Sequence, residues 1–337
     1  MRKLSRNLIY NLLSIENKNS NYGPWKGSLN FWNLMLWNIL FPGRLIHRFR
    51  GNNLFKFNLK KNSADFQKEC KNIKLFKKLE VFYRDGAVII DNFFSKELVE
   101  EFKSIYLSDI IKLRDENNQN NPVTKKSPVL SDILVKFWLD NDLMLFLEKF
   151  YQKKFYARSY PQIYFHANLK YSTSKEKFKN SASILTDNWH VDHANLVNIH
   201  VLLEDVKEND MCMEYIPKSH NYFNMTNIYS DEEVSNLDKP IKCIGQKGTV
   251  YFHYGNTLHR LLPVENSNRL QFHFEFTSAE NILFNCHEVK NALLNDFKLD
   301  SLESSNRDIL SGLFPKSLNK GFNIKNGVLV PSSEKVI

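Results

Sequence analysis

Asn188-Trp189-His190-Val191-Asp192-His193-Ala194-Asn195-Leu196-Val197-Asn198-Ile199-His200-Val201-Leu202-Leu203 is the stretch on which the fold turns. In an extended segment residues i and i+2 point to the same side, so His190 and Asp192 can reach one ion while Val191 turns away. The run from Leu196 to Leu203 is β-branched and apolar and ends in the acidic pair Glu204-Asp205, which reads as a strand. Taken alone, H-x-D is common and is equally an exposed polar turn.

A second stretch gives the pair a partner. In Gly248-Thr249-Val250-Tyr251-Phe252-His253-Tyr254-Gly255-Asn256-Thr257-Leu258-His259-Arg260 a strand runs into a Gly-Asn turn, and His259 opens the next segment. Two imidazoles and one carboxylate can cap one face of a ferrous ion and leave the opposite face open for chemistry. After Pro263 comes Arg269-Leu270-Gln271-Phe272-His273-Phe274-Glu275-Phe276, a strict alternation. Its apolar face is Leu270, Phe272, Phe274 and Phe276, so Arg269, Gln271, His273 and Glu275 must face solvent or a polar cavity. In a barrel, Arg269 would point where its planar fork could grip a carboxylate.

The string from Trp189 to Arg269 resembles the phytanoyl-CoA dioxygenase family of Fe(II)/2-oxoglutarate-dependent oxygenases. Asp85-Gly86-Ala87-Val88-Ile89-Ile90-Asp91-Asn92-Phe93-Phe94-Ser95 is similar to that family's opening strand. Ile216-Pro217-Lys218-Ser219-His220 is similar to the P-G-S-H turn after the H-x-D, with Lys218 standing where the family usually carries Gly, and Asp210-Met211 replaces a usual glycine turn. Gly255-Asn256-Thr257-Leu258-His259-Arg260 is similar to the distal-histidine segment, and the separation from His259 to Arg269 is slightly shorter than usual.

The resemblance implies a mostly β fold with flanking helices around a double-stranded β-helix (jelly-roll, cupin-like) core. It implies His190, Asp192 and His259 as ligands of Fe(II), with 2-oxoglutarate and O₂ as co-substrates and succinate and CO₂ as products. Arg269 would pair with the far carboxylate of 2-oxoglutarate, and Asn168 matches a position where some members contact the co-substrate. Arg260 adjoins a ligand and so points the other way. His200, His220, His253 and His273 read as structural, through hydrogen bonds of their ring nitrogens. The implied activity is hydroxylation of an aliphatic C–H in a small or lipid-like substrate. The alternative is a jelly-roll metal-binding protein, a cupin-like isomerase or an inactive relative, without 2-oxoglutarate turnover.

Charge divides the chain. Residues 1–61 hold eleven Lys or Arg against Glu16 alone, a net of +10 in a chain that totals +9, so all of the excess positive charge lies outside the expected core. The segment also carries Leu29-Asn30-Phe31-Trp32-Asn33-Leu34-Met35-Leu36-Trp37-Asn38-Ile39-Leu40-Phe41, which is too short and too interrupted by Asn to span a bilayer. It could lie at a membrane interface with its Trp and Arg residues in the headgroup zone, or its aromatics could pack on the core. Nucleic acid is not an expected partner, because no zinc finger, helix-turn-helix or RNA-binding signature accompanies the basic arm. The expected partner is a small-molecule or acyl-chain substrate.

Cys70, Cys212, Cys243 and Cys286 are scattered and without C-x-x-C spacing, which is the pattern of reduced thiols in an intracellular protein. No secretory signal is apparent at Met1, so a cytoplasmic location is expected, with peripheral membrane contact as the variant that the first 61 residues allow. The expected division is a basic, aromatic-rich extension over 1–62, the dioxygenase domain over 63–283, and a helical segment and tail over 284–337. Within the middle unit, helices are expected over 63–83, after the N-cap Ser95, and over 129–155. Arg114 to Ser127 reads as a loop, and the Lys/Ser-rich insertion between Lys170 and Asn188 as a lid.

Overall fold

The alternation read at Arg269–Phe276 recurs in every long strand and divides the protein into a greasy and a wet half. The computed structural model describes residues 73–118, 121–129, 131–151, 155–157, 161–167, 189–192, 196–221, 228–229, 231–277, 322–325 and 328–331. The helices are α1 (Ile73–Asp85), α2 (Lys96–Ile105), α3 (Leu107–Glu116), α4 (Asp132–Trp138), α5 (Asn141–Tyr151) and the single turn α6 (Asp231–Val234). The strands are β1 (Ala87–Ile90), β2 (Val123–Lys126), β3 (Tyr156–Ala157), β4 (Gln162–Ala167), β5 (Trp189–His190), β6 (Leu196–Leu202), β7 (Cys212–Tyr215), β8 (Ile228–Tyr229), β9 (Ile241–Cys243), β10 (Val250–Tyr254), β11 (His259–Leu262), β12 (Asn268–Thr277), β13 (Phe322–Lys325) and β14 (Val328–Pro331).

Two antiparallel sheets carry the site. The larger has the order β1-β10-β6-β12-β4-β2, with β3 on the far end of β12, and the smaller has the order β8-β5-β11-β7-β9. Consecutive strands from β4 to β7 cross from one sheet to the other, as do β10, β11 and β12, which gives the expected jelly-roll arrangement with flanking helices. Its sheets are open-edged.

One parity of the larger sheet, Ile163, Phe165, Val197, Ile199, Val201, Phe252, Leu270, Phe272, Phe274 and Phe276, is buried in a single apolar cluster with α1 to α5. Phe146 stacks on Phe252 at 4.6 Å and Phe102 lies 5.1 Å from Phe272. Each such ring stabilises the fold by roughly 1.5–3 kcal/mol through removal of apolar surface from water. The opposite parity, Asn198, His200, His253, Arg269, Gln271 and His273, faces the smaller sheet. Above this polar layer, Ala87, Leu202 and Tyr251 of the larger sheet meet Cys212, Met213, Cys243 and Leu261 of the smaller.

Local chemistry sets the elements. Ser95 caps α2 by accepting from the Leu98 amide at 3.2 Å. On that helix Val99 and Phe102 are buried, whereas Ile105 is exposed. The stretch expected to be a loop from Arg114 to Ser127 holds secondary structure at both ends: α3 runs to Glu116, and Val123–Lys126 is an edge strand on β4. The polar residues that read as a loop occupy the solvent side of that edge, while Thr124 turns inward and its hydroxyl donates to the Leu113 carbonyl at 2.7 Å.

Lys218 adopts φ +61, the left-handed region where glycine is at ease, and so keeps the turn with a lysine in glycine's conformation. Its amide donates to the Asp85 carbonyl at 2.9 Å and its ammonium pairs with Asp238. In the C-terminal segment expected to be helical, β13 and β14 pair as an antiparallel hairpin. Residues 1–72, the insertion at 168–188 with Asn168 and Lys170, and His193 lie outside the described residues. Among those described, no helix is long and apolar enough to cross a membrane.

Candidate metal centre

The three side chains singled out by spacing come together. Donor atoms of His190, Asp192 and His259 lie within 4.8 Å of one another. Strand pairing brings this about: His190 on β5 and His259 on β11 are directly opposed across the smaller sheet, with ring centroids 4.2 Å apart. Two residues on, the Asp192 amide donates to the Gly255 carbonyl at 2.6 Å, which ties the H-x-D to the turn leading into β11. The intervening parity points away, and Trp189 and Val191 are buried in an apolar cluster with Leu258.

The protonation state of His259 follows from its surroundings. Burial pushes its pKa down to about 4, partly offset by the hydrogen bond to Thr257. A carbonyl only accepts, so the 2.9 Å contact places the proton on Nδ1 and leaves the Nε2 lone pair facing Asp192 Oδ2 at 3.5 Å. With a neutral ring this approach is not an ion pair. It is the form in which an imidazole ligates a metal.

Behind the cluster lies a polar layer. The Asn198 amide donates to Asp192 Oδ2 at 2.7 Å, and its carbonyl oxygen lies 3.4 Å from His273 Nε2. His253 sits under His259, with centroids 4.0 Å apart, and its Nε2 meets His200 Nε2 at 3.2 Å. Burial and neighbouring imidazoles hold both His200 and His253 well below the ordinary histidine range. Between two neutral rings one nitrogen donates and the other accepts. His200, His253 and His273 thus make the hydrogen bonds expected of them, and they also line the cavity.

The two arginines part company. Arg260 Nε donates to Glu214 and Nη1 to Asp231, both at 2.6 Å, and its guanidinium lies over the Trp189 ring at 4.3 Å. Arg269, only 1% exposed, forms no ion pair among the described residues. Its Nη2 donates to the Tyr251 hydroxyl and to Gln271 Oε1, while Nε and Nη1 are buried without a partner among the described residues. A buried guanidinium with idle donors is costly unless an anion completes it, so the residues present fit a carboxylate-bearing ligand.

The cluster opens on a cavity of about 190 Å³ lined by residues of both sheets, among them His190, Asp192, Asn198, His253, His259 and Gln271. Arg269 is not on its wall. It meets the wall through Gln271, whose Oε1 also contacts His200 Nδ1 at 3.2 Å and accepts from the Tyr251 hydroxyl at 2.9 Å. Asn198, Tyr164 and His166 line the cavity although the sequence reading does not single them out. The signal was present in β6, where Asn198 and His200 share one parity while Val197, Ile199 and Val201 hold the other.

A search of curated proteins finds no match. Among solved structures, the chain is similar to SnoN, a non-heme alpha ketoglutarate dependent epimerase from nogalamycin biosynthesis, at 14% identity and TM-score 0.43 over 61% of this chain and 83% of that one. It is similar to HygX from Streptomyces hygroscopicus with nickel, 2-oxoglutarate and hygromycin B bound, at 14% identity and TM-score 0.44 over 60% of this chain and 86% of that one. A third is EctD from S. alaskensis in its apoform, at 16% identity and TM-score 0.43 over 60% and 76% of the two chains. The profile of Phytanoyl-CoA dioxygenase (PhyH) matches residues 82–266, from the end of α1 to the turn before β12, a span that holds the whole His190-Asp192-His259 cluster. With more than half its length so matched, the chain belongs to the phytanoyl-CoA dioxygenase family.

Proposed function

We propose that the protein is an Fe(II)- and 2-oxoglutarate-dependent dioxygenase that hydroxylates an aliphatic C–H bond of a small or lipid-like substrate, with iron held by His190, Asp192 and His259. The carrying observation is a pair: a two-histidine, one-carboxylate cluster on a cavity, and, through Gln271, a buried arginine with idle donors. Bound Fe(II) supplies the oxidation, in which 2-oxoglutarate and O₂ yield succinate and CO₂ and one oxygen atom passes to the substrate.

The protein's own part is geometric and electrostatic. The Nδ1–H of His259 held by Thr257 fixes the ligating tautomer, Asn198 orients the Asp192 carboxylate, and Arg269, which has donors without a partner among the described residues, would pair with the far carboxylate of 2-oxoglutarate. The apolar layer of the larger sheet closes off the opposite side from water. Asn168 remains a proposed further co-substrate contact, and membrane contact through residues 1–61 a proposed property of a segment outside the described residues. The proposed domain limits are 1–62, 63–283 and 284–337.

A jelly-roll binding protein without 2-oxoglutarate turnover has no use for Arg269 in this state. The test is anaerobic titration of the Fe(II) protein with 2-oxoglutarate. A weak visible charge-transfer band is expected, absent in Asp192→Ala, with succinate formed on admission of air. A wild-type protein that binds iron but gives neither band nor succinate overturns the proposal.

A further inference from the structure

The cavity wall carries information about the substrate that no motif holds. Of its described lining, only Met213 and Leu261 are aliphatic, and both belong to the smaller sheet. On the larger sheet the half-buried lining residues are Tyr164, His273 and Glu275. Tyr164 meets His273 edge-on at 5.4 Å, and His273 Nε2 lies 3.9 Å from Glu275 Oε1. The wall's carboxylates are Asp192 and Glu275, and no Lys or Arg lines it among the described residues.

Two physical arguments converge. An acyl chain laid on this wall would take water from the half-buried Glu275 carboxylate and return no hydrogen bond, and a charge removed from water is the expensive case. A nucleotide-bearing thioester would also need cationic groups for its phosphates, and the described wall offers the Glu275 carboxylate instead. Hydroxyl or ammonium donors reverse both terms, since they restore a charge-assisted hydrogen bond to the carboxylate. A volume of about 190 Å³ lies below the roughly 300–1,000 Å³ of sites for drug-sized ligands, which favours a compact molecule.

We infer that the substrate is a small, donor-rich polar molecule, bearing hydroxyl or ammonium groups, and that Glu275 with His273 grips it. The inference narrows the "small or lipid-like" class to its polar arm and rests on the metal-centre reading above.

The full chain, loaded anaerobically with Fe(II) and 2-oxoglutarate, is titrated separately with myo-inositol, glucosamine and hexanoyl-CoA. Perturbation of the charge-transfer band gives each Kd, and succinate formation in air gives coupled turnover. Myo-inositol or glucosamine is expected to perturb the band, the arm that responds telling hydroxyl from ammonium recognition. Glu275→Gln is expected to weaken that Kd at least tenfold, and Glu275→Asp, which keeps the carboxylate, to recover part of the loss. A response to hexanoyl-CoA alone, or to none of the three while the band is present, overturns the inference on wild-type protein whether or not the variants fold. Absence of any band overturns the metal-centre reading and, with it, what rests on it.

Discussion

The Asn198 side-chain amide donates to Asp192 Oδ2 at 2.7 Å, joining β6 of the larger sheet to the segment that follows β5 of the smaller. The bond is a brace across the gap of the jelly roll. Asn198→Ala would leave the carboxylate free to rotate away from the two imidazoles, and loss of such an outer partner lowers metal affinity by about 10–100-fold. Titration with Co(II) or Fe(II) checks this, and an affinity equal to wild type would show that the brace is ornamental.

Arg269→Lys is predicted to behave nearly as badly as Arg269→Ala toward 2-oxoglutarate. An ammonium is a compact point charge and cannot reproduce the planar array of donors that a guanidinium presents. Removing one partner of a buried charged contact costs about 2–5 kcal/mol, to be read as a rise in the Kd of 2-oxoglutarate. Iron binding should survive both changes, and loss of iron would relocate the role of Arg269 to the metal cluster.

Arg260→Ala should do the reverse. Glu214 is buried, so removing the guanidinium strands its carboxylate and uncovers Trp189, and breaking such a pair costs about 3–5 kcal/mol. Chemical denaturation should show the loss while the affinity for 2-oxoglutarate stays as it was. A weaker co-substrate and an unchanged midpoint would mean that the two arginines had been assigned in the wrong order.

Gly86→Ala tests how β1 is seated. At φ +78, a Cβ there would lie 2.3 Å from His220 Nδ1 and 2.4 Å from Thr257 Oγ1. Left-handed backbone costs an alanine roughly 1–2 kcal/mol, and overpacking adds about 1–3 kcal/mol. Because the Gly86 carbonyl accepts from both the Tyr254 amide and the Thr257 hydroxyl, the strain would reach the turn before His259. A drop in denaturation midpoint is expected, and a variant as stable as wild type would refute it.

Acid should destabilise the metal-free protein through its buried imidazoles. Burial and Arg269 push His166 down to about 3, whereas the unfolded chain takes up the proton near 6.5. The unfolded state then holds more protons than the native one, so stability from this residue is complete above pH 6.5 and falls steadily as pH drops toward 3. His200, depressed in the same direction, adds to the slope. Denaturation midpoints between pH 7 and 4.5 should show it, and His166→Gln should flatten it. A slope identical in the variant would place the proton uptake elsewhere.

The chemistry-bearing strands were legible because their periodicity is forced. One face of β12 must be apolar to sit on Phe102 and Phe137, and the other must be polar, so parity alone puts Arg269 on the side that faces the smaller sheet, though not on the cavity wall. The cluster was legible for the same reason, H-x-D being meaningful only in extended chain. What sequence did not yield was pairing between distant segments. The register that sets His190 opposite His259 depends on a strand pair with few residues, and β2 passed for a loop because an edge strand shows only half its residues to the core. Nor could local pattern tell that Arg260 has two carboxylates and Arg269 none among the described residues, since Glu214 and Asp231 reach Arg260 through the fold.

The hydrogen bond from the Asp192 amide to the Gly255 carbonyl has a thermodynamic corollary. Both segments that carry the candidate ligands are fastened to one turn, so any opening of that turn dismantles the whole cluster at once. A ligand that binds only the closed form stabilises it in proportion to the logarithm of its concentration over Kd. Loading with metal should therefore raise the unfolding temperature of the entire sandwich and slow amide exchange at Asp192 and Tyr254 together, so that this joint behaves as a clasp closed by its cargo.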